Sequence, residues 1–254
     1  MRRLRALLAF AVVTAGLSTA ALAAGPAPTG SGCKIAPKGA WTVCPRADLA
    51  GRNLARADLR NANLAGADLT RATLTRANLA TADLTRATLA GARLDDSNLA
   101  FANLSRSAST GATLSGATLT GANLSGAELS RANLARVSLS GASITGANLS
   151  HANLNHANLA GANLADANLA GANLAGANLV GANLSRANLT RAALSYATLS
   201  GAYLLGTNLG RANLTGAILL GADLSRANLA GAKLGDVAWF DTICPNGRKT
   251  KRGC

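Results

Sequence analysis

The side chains that could do chemistry are few and regularly placed. His151 and His156 are the chain's 2 histidines, five residues apart. As a pair they could relay protons or help to hold a metal ion. Asp95 and Asp96 adjoin, and neighbouring carboxylates suit general acid/base work when a cleft moves their pKa values apart. The 4 cysteines sit near the two ends, Cys33 and Cys44 early, Cys244 and Cys254 late. They could form disulfides or ligate zinc. No glycine-rich phosphate loop with its lysine accompanies them. What these groups can do depends on the elements that hold them.

Residues 161 to 184 read GANLADANLAGANLAGANLVGANL, a leucine every five residues with alanine two before it. On an α-helix each such step rotates about 500°, so the leucines drift by about 140° and form no stripe. On a flat strand an odd period throws them to alternate faces. A chain that bends by about a quarter turn every five residues keeps every leucine inside, and four steps close a coil of about 20 residues. The register runs unbroken from Leu49 to Trp239: 36 of 39 central residues are leucine, the exceptions being Ser109, Ile144 and Trp239. Alanine fills 33 of the 39 positions two residues earlier. Small beside large at fixed spacing suits a narrow, filled interior. Ser109, next to Ser107 in this pattern, puts hydroxyls where apolar groups belong, which predicts a loose or bulged coil.

The A-[N/D]-L-x-x motif, as in Ala57-Asp58-Leu59 and Ala162-Asn163-Leu164, spans residues 46–240 and resembles the pentapeptide-repeat family. The resemblance implies an all-β chain wound as a right-handed quadrilateral β-helix, its central residue and the one two before it facing inward. About ten coils at about 4.8 Å would give a rod of about 45 to 50 Å. The open ends of a solenoid need covers. Residues 24–45, with Trp41 and Val43, read as an N-terminal linker and cap; residues 241–254, following Trp239 and Phe240, read as a disulfide-closed basic cap. A rod holds the two cysteine couples beyond bridging distance of each other. The expected disulfides are therefore Cys33–Cys44 and Cys244–Cys254, and a zinc site built from all four fails on the same separation. No cofactor and no metal are expected.

The opening MRRLRALLAFAVVTAGLSTAALAAG has a basic start, an apolar stretch and an Ala21-Leu22-Ala23 exit. That is the pattern of a cleavable secretory signal, residues 1–23, and it predicts a protein that is secreted or held in the cell envelope. An even cysteine count suits an oxidising compartment. The formal charge of +14 falls to +11 without Arg2, Arg3 and Arg5. Mimicry of DNA to protect gyrase, a role known in the family, needs an acidic rod and a cytoplasmic address. A basic exported chain argues against that role, and no specific nucleic-acid partner is expected.

If the four faces are numbered from Leu49 as face zero, eleven arginines in the last repeat position fall on faces zero, one and three. Face two has none and carries Phe101, Val180, Ile218, Leu220 and Phe240, a candidate apolar contact surface. The tail residues Arg248, Lys249, Lys251 and Arg252 are candidate polyanion contacts. His151 and His156 lie outward, above Arg131 and Arg136, and Asp95 with Asp96 occupies an exposed corner. Neither arrangement offers a cleft, and a filled rod has no pocket for a substrate. The chain thus reads as an exported, non-enzymatic scaffold that engages an anionic cell-envelope polymer or a protein partner. The alternative is a homodimeric structural protein of the envelope.

Overall fold

The computed structural model describes residues 43–254. The expected signal peptide, Trp41 and Cys33 lie outside the described residues. Val43 forms a parallel bridge with Asn63, and the same bridge recurs every five residues as far as Asp223 with Ile243, always joining residues 20 apart. Five residues per side and 20 per turn make a four-sided β-helix. Turn residues occupy two of every five positions, so a side is too short for more than a single bridge. Among the described residues the named strands are β1 (Thr242–Ile243) and β2 (Lys249–Thr250), antiparallel, with Thr242 opposite Thr250.

Each side carries the same hydrogen bonds. The Leu69 N–H donates to the Thr88 carbonyl at 2.7 Å, the Arg71 N–H to Ala90 at 2.9 Å, and the Asp68 N–H back to Ala47 at 2.9 Å. The corner closes when the Ala72 N–H donates to the Leu69 carbonyl at 2.9 Å, a four-residue turn whose third residue takes a positive φ. Arg71 there has φ 55, and 22 corner residues other than glycine, twelve of them arginine, share this left-handed conformation. It costs an L-residue roughly 1–2 kcal/mol. Bonds to the coil above and the coil below hold it in place.

Inside, the alternation works as packing. Ala72 and Leu74 are wholly buried, as are their counterparts through most of the rod. Asparagine dominates the outward position before the leucine because its amide bonds both along and across the coils. The Asn168 Oδ1 accepts from the Ala170 N–H at 3.2 Å, and its Nδ2 donates to the Asn148 Oδ1 at 3.2 Å. Asn188 continues the ladder onto Asn168 at 3.2 Å. A local side-chain acceptor for a backbone N–H favours the turn.

Rings at the corners reveal a second rule. Phe101, His151, His156 and Tyr196 each point along the axis towards the corner of the next coil, and each finds glycine there: Gly121, Gly171, Gly176 and Gly216. A β-carbon on those glycines would sit 2.5–2.7 Å from the ring. A ring at one corner thus requires a bare corner 20 residues on.

Ser109 does not bulge the coil. Its N–H donates to the Glu128 carbonyl at 2.7 Å and the Ala108 N–H to Ala87 at 2.9 Å, as in the neighbouring coils. The two serine hydroxyls satisfy each other at 3.1 Å, so burial leaves no orphan, and what is lost is leucine volume. Thr207 and Ser97, in alanine positions, solve the same problem by donating to the Leu184 carbonyl at 2.7 Å and the Leu94 carbonyl at 2.6 Å.

Two stability measurements follow from this packing. The double substitution Ser107→Ala, Ser109→Leu restores the pattern and is expected to stabilise the rod by about 2 kcal/mol, seen as a higher denaturant midpoint. Gly121→Ala is expected to destabilise it by more than about 1 kcal/mol. Adding Phe101→Ala should recover part of that loss, and unchanged loss in the double variant would show that the ring is not what the glycine accommodates.

Candidate binding surfaces

Both ends are built from the repeat itself. Cys244 lies in register at the leucine position and is 6% exposed, while Thr242, in the alanine position, is wholly buried. The ladder continues past residue 240: the Ile243 N–H donates to Ala222 at 2.9 Å and Arg226 to the Pro245 carbonyl at 2.9 Å. Cys244 is bridged to Cys254 with a Cα–Cα separation of 5.3 Å. At the other end Cys44 is disulfide-bonded, buried, and also at a leucine position, its N–H donating to Asn63 at 2.8 Å. The expected partner, Cys33, lies outside the described residues. Val43 stands on the outer surface, 42% exposed, and so belongs to the first coil wall. Trp239 is partly buried against the last core residues, with the Gly253 backbone close to its indole.

The residues with catalytic potential are occupied structurally. The His151 and His156 rings lie over Gly171 and Gly176. The Asp95 carboxylate accepts from the Thr113 hydroxyl at 2.7 Å and the Ser115 N–H at 3.3 Å, and Asp96 faces Arg76 at 3.7 Å. Among the described residues no three metal-binding side chains converge.

The basic tail is partly engaged. Lys249 Nζ donates to the Asp241 carboxylate at 2.9 and 3.1 Å, and Lys251 sits 5.4 Å from the Phe240 ring centre, a cation–π contact. The larger basic feature is the set of twelve corner arginines. Arg186 forks onto Asp166 with two bonds of 2.7 Å, and these bonds hold the Asp166 carboxyl below its ordinary pKa. Arg76 has Asp96, and the other ten make no ion pair among the described residues. Arg191 and Arg211 stack in consecutive coils on the edge between faces zero and one; Arg86 and Arg106 do the same between faces three and zero.

Apolar exposure lies on the other side. Of the eight exposed large apolar side chains among the described residues, all but Tyr196 sit on face two, face three or their shared edge. Phe101, Val180, Leu220 and Phe240 are exposed, at 66%, 42%, 41% and 55%, whereas Ile218 is only half-exposed. Tyr203 and Leu205 add to them on face three and wall an open concavity of about 460 Å³ over Asn163 and Asn183, with Asp223 at its rim.

The repeat model described as pentapeptide repeats matches eight copies over residues 46–80, 82–121, 110–146, 142–181, 167–206 and 207–237. The chain is a pentapeptide-repeat protein. It is similar to HetL, a pentapeptide-repeat protein involved in heterocyst differentiation regulation in the cyanobacterium Nostoc, at 37% identity over 77% of this chain and 90% of that one, with a TM-score of 0.59. It is also similar to QnrB1, a plasmid-mediated fluoroquinolone resistance protein, at 20% identity over 61% of this chain and 85% of that one, with a TM-score of 0.41. No curated protein matches. The matched family is a structural repeat and indicates no catalytic class.

Two features of this pentapeptide-repeat rod escape a face-by-face reading of its arginines. Tyr203 and Leu205 lie on face three, across the edge from the face whose corners lack arginine, and are exposed there. The ends carry Thr42-Val43-Cys44-Pro45 and Thr242-Ile243-Cys244-Pro245, a near-identical motif whose register was legible by counting. The last coil leaves the N–H groups of Leu229, Gly231, Leu234 and Asp236 without backbone acceptors among the described residues, so it is held from one side by the coil before it, and the C-terminal bridge adds a covalent restraint on the open side. Replacing Cys244 and Cys254 by serine should speed amide exchange at residues 227–243 and leave residues 120–200 unchanged.

Proposed function

We propose that this protein is an exported, non-enzymatic interaction scaffold that binds an anionic polymer of the cell envelope along its arginine-bearing edges. The observation that carries this reading is the stacking of unpaired corner arginines at coil spacing. Ten of twelve make no ion pair among the described residues, and a linear polyanion can meet several at once. Each fixed cation raises the electrostatic potential along the same line, so the attraction felt by a polyanion accumulates over the length of the rod. The tail adds Arg248, Lys251 and Arg252, with Lys249 already held by Asp241. The signal-like N-terminus and the disulfides support an oxidising, extracytoplasmic setting. The involvement of the similar HetL in heterocyst differentiation regulation supports interaction in place of catalysis.

Binding of the oxidised protein to polyphosphate, followed by titration at rising ionic strength, tests the reading. Affinity should fall steeply above about 0.15 M salt, where the screening length drops below about 8 Å. Arg191→Gln with Arg211→Gln should weaken binding more than Arg248→Gln with Arg252→Gln. Absence of binding at low salt would remove the polyanion from consideration.

A further inference from the structure

The edge between faces two and three differs from the other three. Its corner positions are Asn61, Thr81, Phe101, then glycine at every corner from 121 to 221, then Asp241. It is the one edge without arginine, and it collects the exposed apolar side chains described above. Diagonally opposite stands the edge of Arg71, Arg131, Arg191 and Arg211. A chain with a formal charge of +14 repels its own copies wherever arginines meet, and this edge is where two copies can approach without that repulsion.

We propose that a second copy of this chain covers the edge, with the two rods antiparallel about a two-fold axis at the level of Gly161. The order of residues along the edge favours this arrangement over a parallel one. Large apolar side chains protrude mainly from the C-terminal half of face two, and small ones line the N-terminal half beyond the Asp58–Arg60 ion pair at its start. An antiparallel pair sets Leu220 opposite the partner's Ala100, Phe240 opposite the partner's Ala80 and Val180 opposite the partner's Ser140. Phe101, on the edge itself, meets the bare corner at the partner's Gly221. A parallel pair would set large against large and small against small.

Charge follows the same order. On face three the antiparallel register brings Asp83 to the level of the partner's Ile243, whose strand neighbour is the partner's Lys249. Asp223 comes level with the partner's Asn103, an amide that can donate to it. Such an interface is isologous, each contact occurring twice. It buries the apolar edge of each copy and leaves the three arginine-bearing edges of each outside the contact. The pairing does not depend on what those arginines bind.

Sedimentation equilibrium of the disulfide-bonded chain over a wide concentration range tests the proposal, with two variants. Gly161→Arg places like charges on the axis while remaining compatible with the fold, because arginine already occupies twelve left-handed corners. Gly111→Arg, at an unobstructed corner on another edge, is its control. The expected result is a dimer that Gly161→Arg converts to monomer and Gly111→Arg leaves intact. A parent chain that stays monomeric throughout, or a dimer indifferent to Gly161→Arg, overturns it. Orientation is read from single cysteine variants under mild oxidation. Gly161→Cys should cross-link between copies and Gly121→Cys should not, whereas efficient cross-linking of both would establish a parallel pair.

Discussion

Every turn of this molecule depends on a residue being held in the left-handed region at each corner. That conformation is unfavourable for any side chain larger than hydrogen, yet 22 corners carry one. The opposing force is the set of bonds from each coil to the next, in which the corner N–H itself takes part, as Arg71 does with Ala90. Local strain and long-range pairing are thus coupled at the same residue, so a coil is stable only when its neighbours are formed. Stability in such a stack is a nearest-neighbour property, which is why the ends, lacking one neighbour, receive covalent closure.

The same geometry decides where function can reside. Among the described residues the interior is filled by alanine and leucine, so Asp96, His151 and His156 stand exposed at corners and Asp95 is half-buried on a side, held by Thr113 and Ser115. What the rod offers instead is straight rows of side chains at constant spacing. Its rows are segregated: cations line three edges, and apolar side chains gather about the fourth.

Much of this was legible in the sequence because the period is covalently encoded. Leucine at every fifth position fixed inside from outside, and counting alone placed Arg191 above Arg211. Two things were not legible by composition. Ser109 breaks the pattern, but its neighbour Ser107 sits within hydrogen-bonding distance across the same side, so the backbone ladder has no reason to yield. The apolar surface was only half visible, because exposure depends on which neighbours stand at the coil above and below: Ile218 is partly covered, whereas Tyr203 rises over a floor of glycine and asparagine. Likewise Lys249 looked like a free cation until the hairpin folded it onto Asp241.

The two in-register cysteines carry a consequence for how such a rod can vary in length. Cys44 and Cys244 are separated by 200 residues, a whole number of 20-residue turns, so both closures hang from the same face. Adding or removing one pentapeptide would preserve the leucine register yet rotate one closure, and every row beyond the change, by a quarter turn relative to the rest. Rows that had been continuous would then be severed. Only a change by an entire turn lengthens the molecule while keeping its cationic and apolar rows intact, so the heritable unit of this architecture is the coil and not the five-residue motif that composes it.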